Sequence, residues 1–343
     1  MTAADAVATL RGPAGATPLL AVESVDVVLG HGVRAAQVLS GVDLRIWPGE
    51  LVGLVGETGS GKTTLARTVA GLVDPRRGRV VFDGLPISRL RRRARRAERR
   101  RGRIQLVFQD PLRSLDPDMT VADIVGEGLK IRGEANAGEI RRQVLDALDQ
   151  VGLGAALLAR TPGQISGGQR QRVSIARALA VGPRLLICDE PVSALDASTR
   201  NYILRLLDVL RNSLGLSIVI ISHDLSSLSG IADRVVVLYH GRVVEDGPVD
   251  QVFAAPRHPY TALLLASAPS VRHDRRLAPA QLRRAPADPA PPAGDLDPAA
   301  CVFAARCPFA ADVCATAPAL EPVDGRWSVA CHRHSEWRQQ AST

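Results

Sequence analysis

The sequence predicts an α/β domain with a mainly parallel central sheet, an antiparallel part and a helical insert near residues 120–180. Three observations carry this. Leu51–Val55, Leu185–Cys188 and Ile218–Ile221 are short, nearly all-apolar runs, the pattern of strands buried on both faces. Other stretches have helical spacing, among them Val121–Gly152, with Ile140, Val144, Leu145, Leu148 and Val151, and Ser198–Leu214. β-like runs at Leu20–Leu29, Val38–Trp47, Arg79–Asp83 and Ile104–Phe108 add further strands, Pro48-Gly49 marks a turn, and Val235–Leu238 with Arg242–Glu245 flank His240-Gly241 as a hairpin.

A chain of 343 residues accommodates one large domain plus a small appendage, or two modest domains. Apolar residues make up 46% and aromatics 3%, so aliphatic side chains must build the core. The formal charge is +8, compatible with nucleic acid, an anionic membrane face or phosphates as partners. Ten arginines fall between Arg89 and Arg103. They read as a solvated helix face or arm, or as a contact for lipid headgroups or nucleic acid. The absence of interleaved aromatics argues against a single-strand stacking surface. Lys62 stands out, because Lys130 is the other lysine among 43 basic residues. No stretch approaches about 18 uncharged apolar residues, and the N-terminus lacks a secretory pattern, so the reading is a soluble, cytoplasmic chain. Five cysteines there point to metal or chemistry before disulfides.

Gly56-Glu-Thr58-Gly59-Ser60-Gly61-Lys62-Thr63 fits the phosphate-loop pattern, and Thr64 follows it. The pattern requires a strand before it and a helix after it, and both are predicted here. Its glycines let backbone N–H groups turn toward phosphate oxygens, and the helix N-terminus adds a favourable dipole. Lys62 would reach the β- and γ-phosphates, and the Thr63 hydroxyl would bind Mg²⁺. Leu185-Leu-Ile-Cys-Asp189-Glu190 is an apolar strand ending in two carboxylates. Asp189 is the candidate for holding Mg²⁺, directly or through water, and Glu190 for polarising the attacking water. A bland alternative is an acidic strand end that caps the next helix.

Ile165-Ser166-Gly167-Gly168-Gln169 is a second helix start suited to anions. One chain does not need two phosphate sites for one triphosphate, so this loop makes sense if it closes over the γ-phosphate held by another subunit. On these residues the chain, from about Leu20 to Phe253, resembles the ATP-binding cassette (ABC) ATPases. Ser166–Gln169 corresponds to their signature, with Ile165 where leucine is usual. Gln109 resembles the glutamine loop that senses Mg²⁺ and touches the membrane subunit. Ser193-Ala-Leu-Asp196 resembles the dimer-contact loop, and His223 the switch histidine. One departure stands out. The first strand region, Val27-Val28-Leu29-Gly30-His31, lacks the aromatic residue that usually stacks on adenine, which leaves Leu29 or His31 as substitutes.

Cys301, Cys307, Cys314 and Cys331 are spaced C-x₅-C-x₆-C-x₁₆-C. Four thiolates can complete a zinc site or hold an iron–sulfur cluster, with His332 and His334 as alternative ligands. Unligated thiols and disulfides are the other readings, and Cys188 reads as core. This segment, with Pro256-Arg-His-Pro-Tyr-Thr-Ala-Leu-Leu264 and Gln109-Asp-Pro-Leu-Arg-Ser-Leu-Asp-Pro117, resembles the oligopeptide/dipeptide importer branch, which includes nickel importers.

The resemblance implies a P-loop NTPase fold with an antiparallel β subdomain, a helical subdomain and a small Cys-rich C-terminal extension. The expected layout is a tail at 1–18, the ATPase domain at 19–255, a helix and Pro/Ala-rich linker at 256–298, the Cys-rich extension at 299–335 and a tail at 336–343. It also implies ATP and Mg²⁺, a [4Fe-4S] cluster on the four cysteines, two transmembrane permease subunits, a second ATPase subunit and, indirectly, an extracytoplasmic solute-binding protein. The place would be the cytoplasmic face of the membrane, with no nucleic acid partner. A soluble cassette ATPase acting on nucleic acid or ribosomes is the rival reading, and an exporter ATPase the next.

Overall fold

The computed structural model describes residues 16–30, 32, 35–133, 136–193, 195–267, 278–283, 297 and 299–341. His31, residue 194 of the dimer-contact loop, and most of the expected N-terminal tail and Pro/Ala-rich linker lie outside them.

Among the described residues, eleven strands build two sheets: β1 Leu20–Leu29, β2 Ala36–Ile46, β3 Leu51–Val55, β4 Arg77–Phe82, β5 Ile104–Val107, β6 Leu185–Asp189, β7 Ser217–Ser222, β8 Arg234–Tyr239, β9 Arg242–Pro248, β10 Glu321–Asp324 and β11 Trp327–Val329. The smaller sheet is antiparallel in the order β2-β1-β4. The larger runs β10-β11-β9-β8-β3-β7-β6-β5. Its members from β8 to β5 are parallel, and β9, β11 and β10 add antiparallel pairs.

Alternation along the buried strands divides the core into two. Val52, Leu54, Ile187, Val219 and Val236 face the antiparallel sheet and pack with Leu20, Leu39, Ile46 and Phe82. Leu51, Val55, Leu186, Ile218 and Val237 face the other way, toward the helices. There the expected helical insert forms two helices, Val121–Arg132 and Ala137–Gln150, packed with Gly167–Leu179. Thr120 caps the first by accepting from the Asp123 N–H, and Gly133, in the left-handed region, ends it.

The C-terminal segment joins the central sheet rather than hanging from it. Ser328 and Val329 of β11 pair with Asp246 and Glu245 of β9. A Cβ on Gly247 would lie 2.5 Å from the Trp327 ring, so glycine is what admits that indole. Trp327, Trp337 and Phe303 are buried in the helix-side core. At the start of β8, beside β9, the buried Arg234 pairs with Glu50 and Asp246.

The arginine run contains a helix, Arg92–Arg100, with no buried residue. Solvation of this face explains why it tolerates such composition. Among the described residues no helix is long and apolar enough to cross a membrane.

Candidate active site

The predicted phosphate loop lies between β3 and the helix Lys62–Val69. Gly61 occupies the left-handed region at φ 103°, and a Cβ on Gly56 would lie 2.1 Å from the Leu238 carbonyl oxygen. Both positions therefore exclude a side chain. The Lys62 ammonium is buried and closes across its own loop, donating to the Gly56 and Glu57 carbonyls, each at 2.8 Å. Burial lowers its pKa, while Glu190, Asp189 and Glu57 pull it back up. Asp189, at the end of β6, is also buried. Burial raises its pKa, opposed by a hydrogen bond from Thr63.

Glu190 follows with φ 47°, a left-handed position uncommon for a side chain of this size. Its N–H donates to the Ile221 carbonyl of β7 at 3.0 Å. Its carboxylate then meets two other predicted residues. Gln109, just past β5, donates through Nε2 at 2.8 Å, and His223, just past β7, places Nδ1 at 3.2 Å. Residues 81 and 33 positions away from Glu190 thus converge because β5, β6 and β7 are parallel neighbours ending on one side. Carboxyl ends of parallel strands are where open α/β sheets bind ligands. A carboxylate held by a neutral donor and an imidazole beside an ammonium can accept a proton from, or orient, a water.

Ser166 caps the helix Gly167–Leu179 in a reciprocal box. Its Oγ accepts from the Gln169 N–H at 3.2 Å, and Gln169 Oε1 accepts from the Ser166 N–H at 2.9 Å. A Cβ on Gly168 would meet Thr199 at 2.9 Å, so this helix start sits against the helix Ala197–Leu214. Asp196 caps that second helix through Ser198 and Thr199, which hold its carboxyl well below the usual range. Among the described residues no hydrogen bond or ion pair joins Ser166–Gln169 to the phosphate loop. The structure gathers Lys62, Asp189, Glu190, Gln109 and His223, and leaves the signature loop apart from them.

A family model described as ABC transporter matches residues 39–193, and one described as the C-terminal region of oligopeptide/dipeptide transporters matches residues 244–314. The oligopeptide transport ATP-binding protein OppF of Escherichia coli is 42% identical over 303 residues, covering 87% of this chain and 88% of that protein. The chain belongs to the ABC transporter family. A Brucella ovis protein named for peptide import ATP binding is 43% identical over 318 residues, 92% of this chain and 98% of that one. Among solved structures, a dimeric ATP-binding cassette in a post-hydrolysis state with ADP and Pi is 31% identical with a TM-score of 0.61. It aligns with 67% of this chain and 98% of its own. The protein cbiO1 of Clostridium perfringens, part of the ABC transporter complex cbiONQ, gives 32% and 0.62, over 69% of this chain and 91% of its own. ABC ATPases use ATP with Mg²⁺, which agrees with the ligands expected from the phosphate loop.

In this ABC chain Leu29 is 40% exposed, an apolar surface position in the region where an adenine-stacking aromatic is missing. All five cysteines are free thiols, and Cys188 is buried in the core as expected. Cys301, Cys307, Cys314 and Cys331 line one small cavity of about 20 Å³, room for roughly one water. Burial, then the proximity of the other thiols, pushes Cys307 and Cys331 up to about 12. Among the described residues, however, no group of three or more His, Cys, Asp or Glu side chains forms an arrangement that holds a metal. The four thiols nonetheless converge on one cavity, as a shared ligand set requires.

Two contacts to the phosphate loop have no local sequence signal. Tyr260 Oη accepts from the Glu57 N–H at 2.8 Å, and Arg306 pairs with the Glu57 carboxylate at 2.8 and 3.0 Å. Their partners lie 203 and 249 residues away along the chain.

Proposed function

We propose that this chain is the ATP-hydrolysing subunit of an importer that takes up oligopeptides or dipeptides through separate permease subunits. The observation that carries the catalytic part is the meeting of Gln109 and His223 on the Glu190 carboxylate beside the buried Lys62. The cargo class rests on the peptide-import names of the relatives and on the oligopeptide/dipeptide match at residues 244–314.

In this reading Gly56, Thr58, Gly59, Ser60, Gly61, Lys62, Thr63 and Thr64 receive the ATP phosphates. Lys62 gives up its loop carbonyls to do so. Thr63, Asp189 and Gln109 would hold Mg²⁺, which neutralises phosphate charge when bound. Glu190 orients and polarises the attacking water. Gln109 and His223 hold its carboxylate in place, and His223 steadies the γ-phosphate. Ser166, Gly167, Gly168 and Gln169 act on ATP held by a second ATPase subunit, the same chain or a different one, and Asp196 fixes the helix start behind them. Their separation from the chain's own phosphate loop supports that division of labour. Closing and reopening of the pair then drives two permeases, with a solute-binding protein delivering cargo from outside. The protein works at the cytoplasmic face of the membrane. Cys301, Cys307, Cys314 and Cys331 would hold an iron–sulfur cluster or zinc, whose chemistry here is cross-linking of the chain. Their convergence on one cavity supports this, and metal and sulfide analysis of purified protein tests it.

The test of the main reading is ATP hydrolysis by wild type and Glu190→Gln, alone and with candidate permeases in lipid. Stimulation of wild type by permease, with a variant that binds ATP but stalls, upholds it. Hydrolysis that ignores permease and rises with DNA or ribosomes overturns it.

A further inference from the structure

An acidic residue inside an anion-binding loop needs an explanation. Glu57 follows the first glycine of Gly56–Thr63, where its carboxylate would repel the phosphates that the loop binds. Arg306 meets that carboxylate with both terminal guanidinium nitrogens, at 2.8 and 3.0 Å. This two-pronged geometry fixes direction as well as charge. We infer that Arg306 is a positioning residue for the phosphate loop, cancelling the Glu57 charge and holding the loop from beneath through it.

The rest of the surroundings agree. The Glu57 N–H donates to Tyr260 Oη at 2.8 Å. Its carbonyl accepts from Lys62 at 2.8 Å and from the Ser60 N–H at 3.1 Å. Every polar group of Glu57 is therefore engaged. Arg306 itself donates to Tyr239 Oη at 3.2 Å, and its guanidinium lies over the Tyr239 and Phe303 rings at 5.6 and 5.8 Å. Tyr239, Tyr260 and Phe303 contact one another, with centroids 4.4 to 5.5 Å apart. This aromatic bed fixes the guanidinium in turn. Phe303 and Arg306 both come from the segment between Cys301 and Cys307. The C-terminal segment thus supplies part of the foundation of a loop 249 residues earlier. Backbone N–H groups bind phosphate well only when they are held in place beforehand, so a loosened loop weakens nucleotide binding before it weakens the fold.

The inference rests on Gly56–Thr63 binding ATP. The experiment measures the Kd of a fluorescent ATP analogue for the full chain, with KM and kcat alongside. Lys62→Ala tests the underlying reading, which fails if that variant binds like wild type. Arg306→Gln is expected to raise Kd and KM about fivefold to tenfold, a range set by the partial exposure of the pair. Adding Glu57→Gln should recover part of that loss, because the uncompensated carboxylate is then gone. Arg306→Lys, which retains charge and is the milder change for folding, should fall between wild type and Arg306→Gln. A Kd for Arg306→Gln within about twofold of wild type overturns the inference. So does a rise that Glu57→Gln fails to reduce, since Arg306 would then only fasten the C-terminal segment.

Discussion

Glu190, just past β6, has a side chain 16% exposed and shares its carboxylate with Gln109 and His223. Glu245, inside β9, is fully buried and accepts from the N–H groups of Arg257 and His258 and from Trp327 Nε1. Its neighbour Asp246 is answered by Arg234. The two carboxylate regions belong to one sheet, yet the first keeps room for a ligand and the second spends its lone pairs on the fold. The difference is position. A parallel strand's carboxyl end opens into a crevice, whereas the middle of β9 is covered by β8 and β11. Charges in the second place must be matched internally or they destabilise.

That contrast can be broken in order of expected effect. Arg234→Met leaves Asp246 buried without its paired cation and Glu50 facing the half-exposed Arg326, and should cost about 3–5 kcal/mol in urea unfolding. A loss below about 1 kcal/mol would place Arg234 with the dispensable surface pairs. Glu190→Gln should leave unfolding unchanged and lower kcat about a hundred-fold or more, measured by phosphate release.

His258 sharpens the scaffold side further. Burial holds it at about 3, below its ordinary 6.5, and its Nδ1 accepts from the Tyr260 N–H. Below about pH 6.5 the unfolded chain takes up a proton that the folded chain refuses until about pH 3, so this group removes stability as pH falls through that window. His258→Asn keeps an acceptor and abolishes the titration. Its unfolding free energy should fall less steeply with acid, and parallel slopes would exclude the histidine as the cause. The smallest effect belongs to the exposed helix. Arg96→Gln with Arg100→Gln should change stability by no more than about 0.5 kcal/mol.

Legibility followed the same division. β3, β6 and β7 were readable because burial on both faces leaves an unbroken apolar run, as in Ile218–Ile221. The placement of Gly56–Thr63, Asp189, Glu190 and His223 at strand ends was readable because strand, turn and side chain are contiguous. The expected Val121–Gly152 helical stretch is two helices, since Gly133 and Asn136 end one and cap the next. Short-range patterns end there. β11 has three residues, too few for a period, and its pairing with β9 is set by Trp327 fitting over Gly247. The Arg306 contact to Glu57 joins two residues that look ordinary in their own neighbourhoods.

The three-residue β11 has one more consequence. It pairs along the edge of β9, and the outermost strand of the sheet becomes β10, four residues long with Pro322 inside it and Glu321 and Asp324 at its ends. A short, acidic, proline-bearing margin recruits no further strand. Cutting the chain before residue 299 would strip that margin and uncover the edge of β9, whose freed backbone N–H and C=O groups are a template for pairing with other molecules. Such a shortened protein should fail first by aggregating in solution, before any question of catalysis arises.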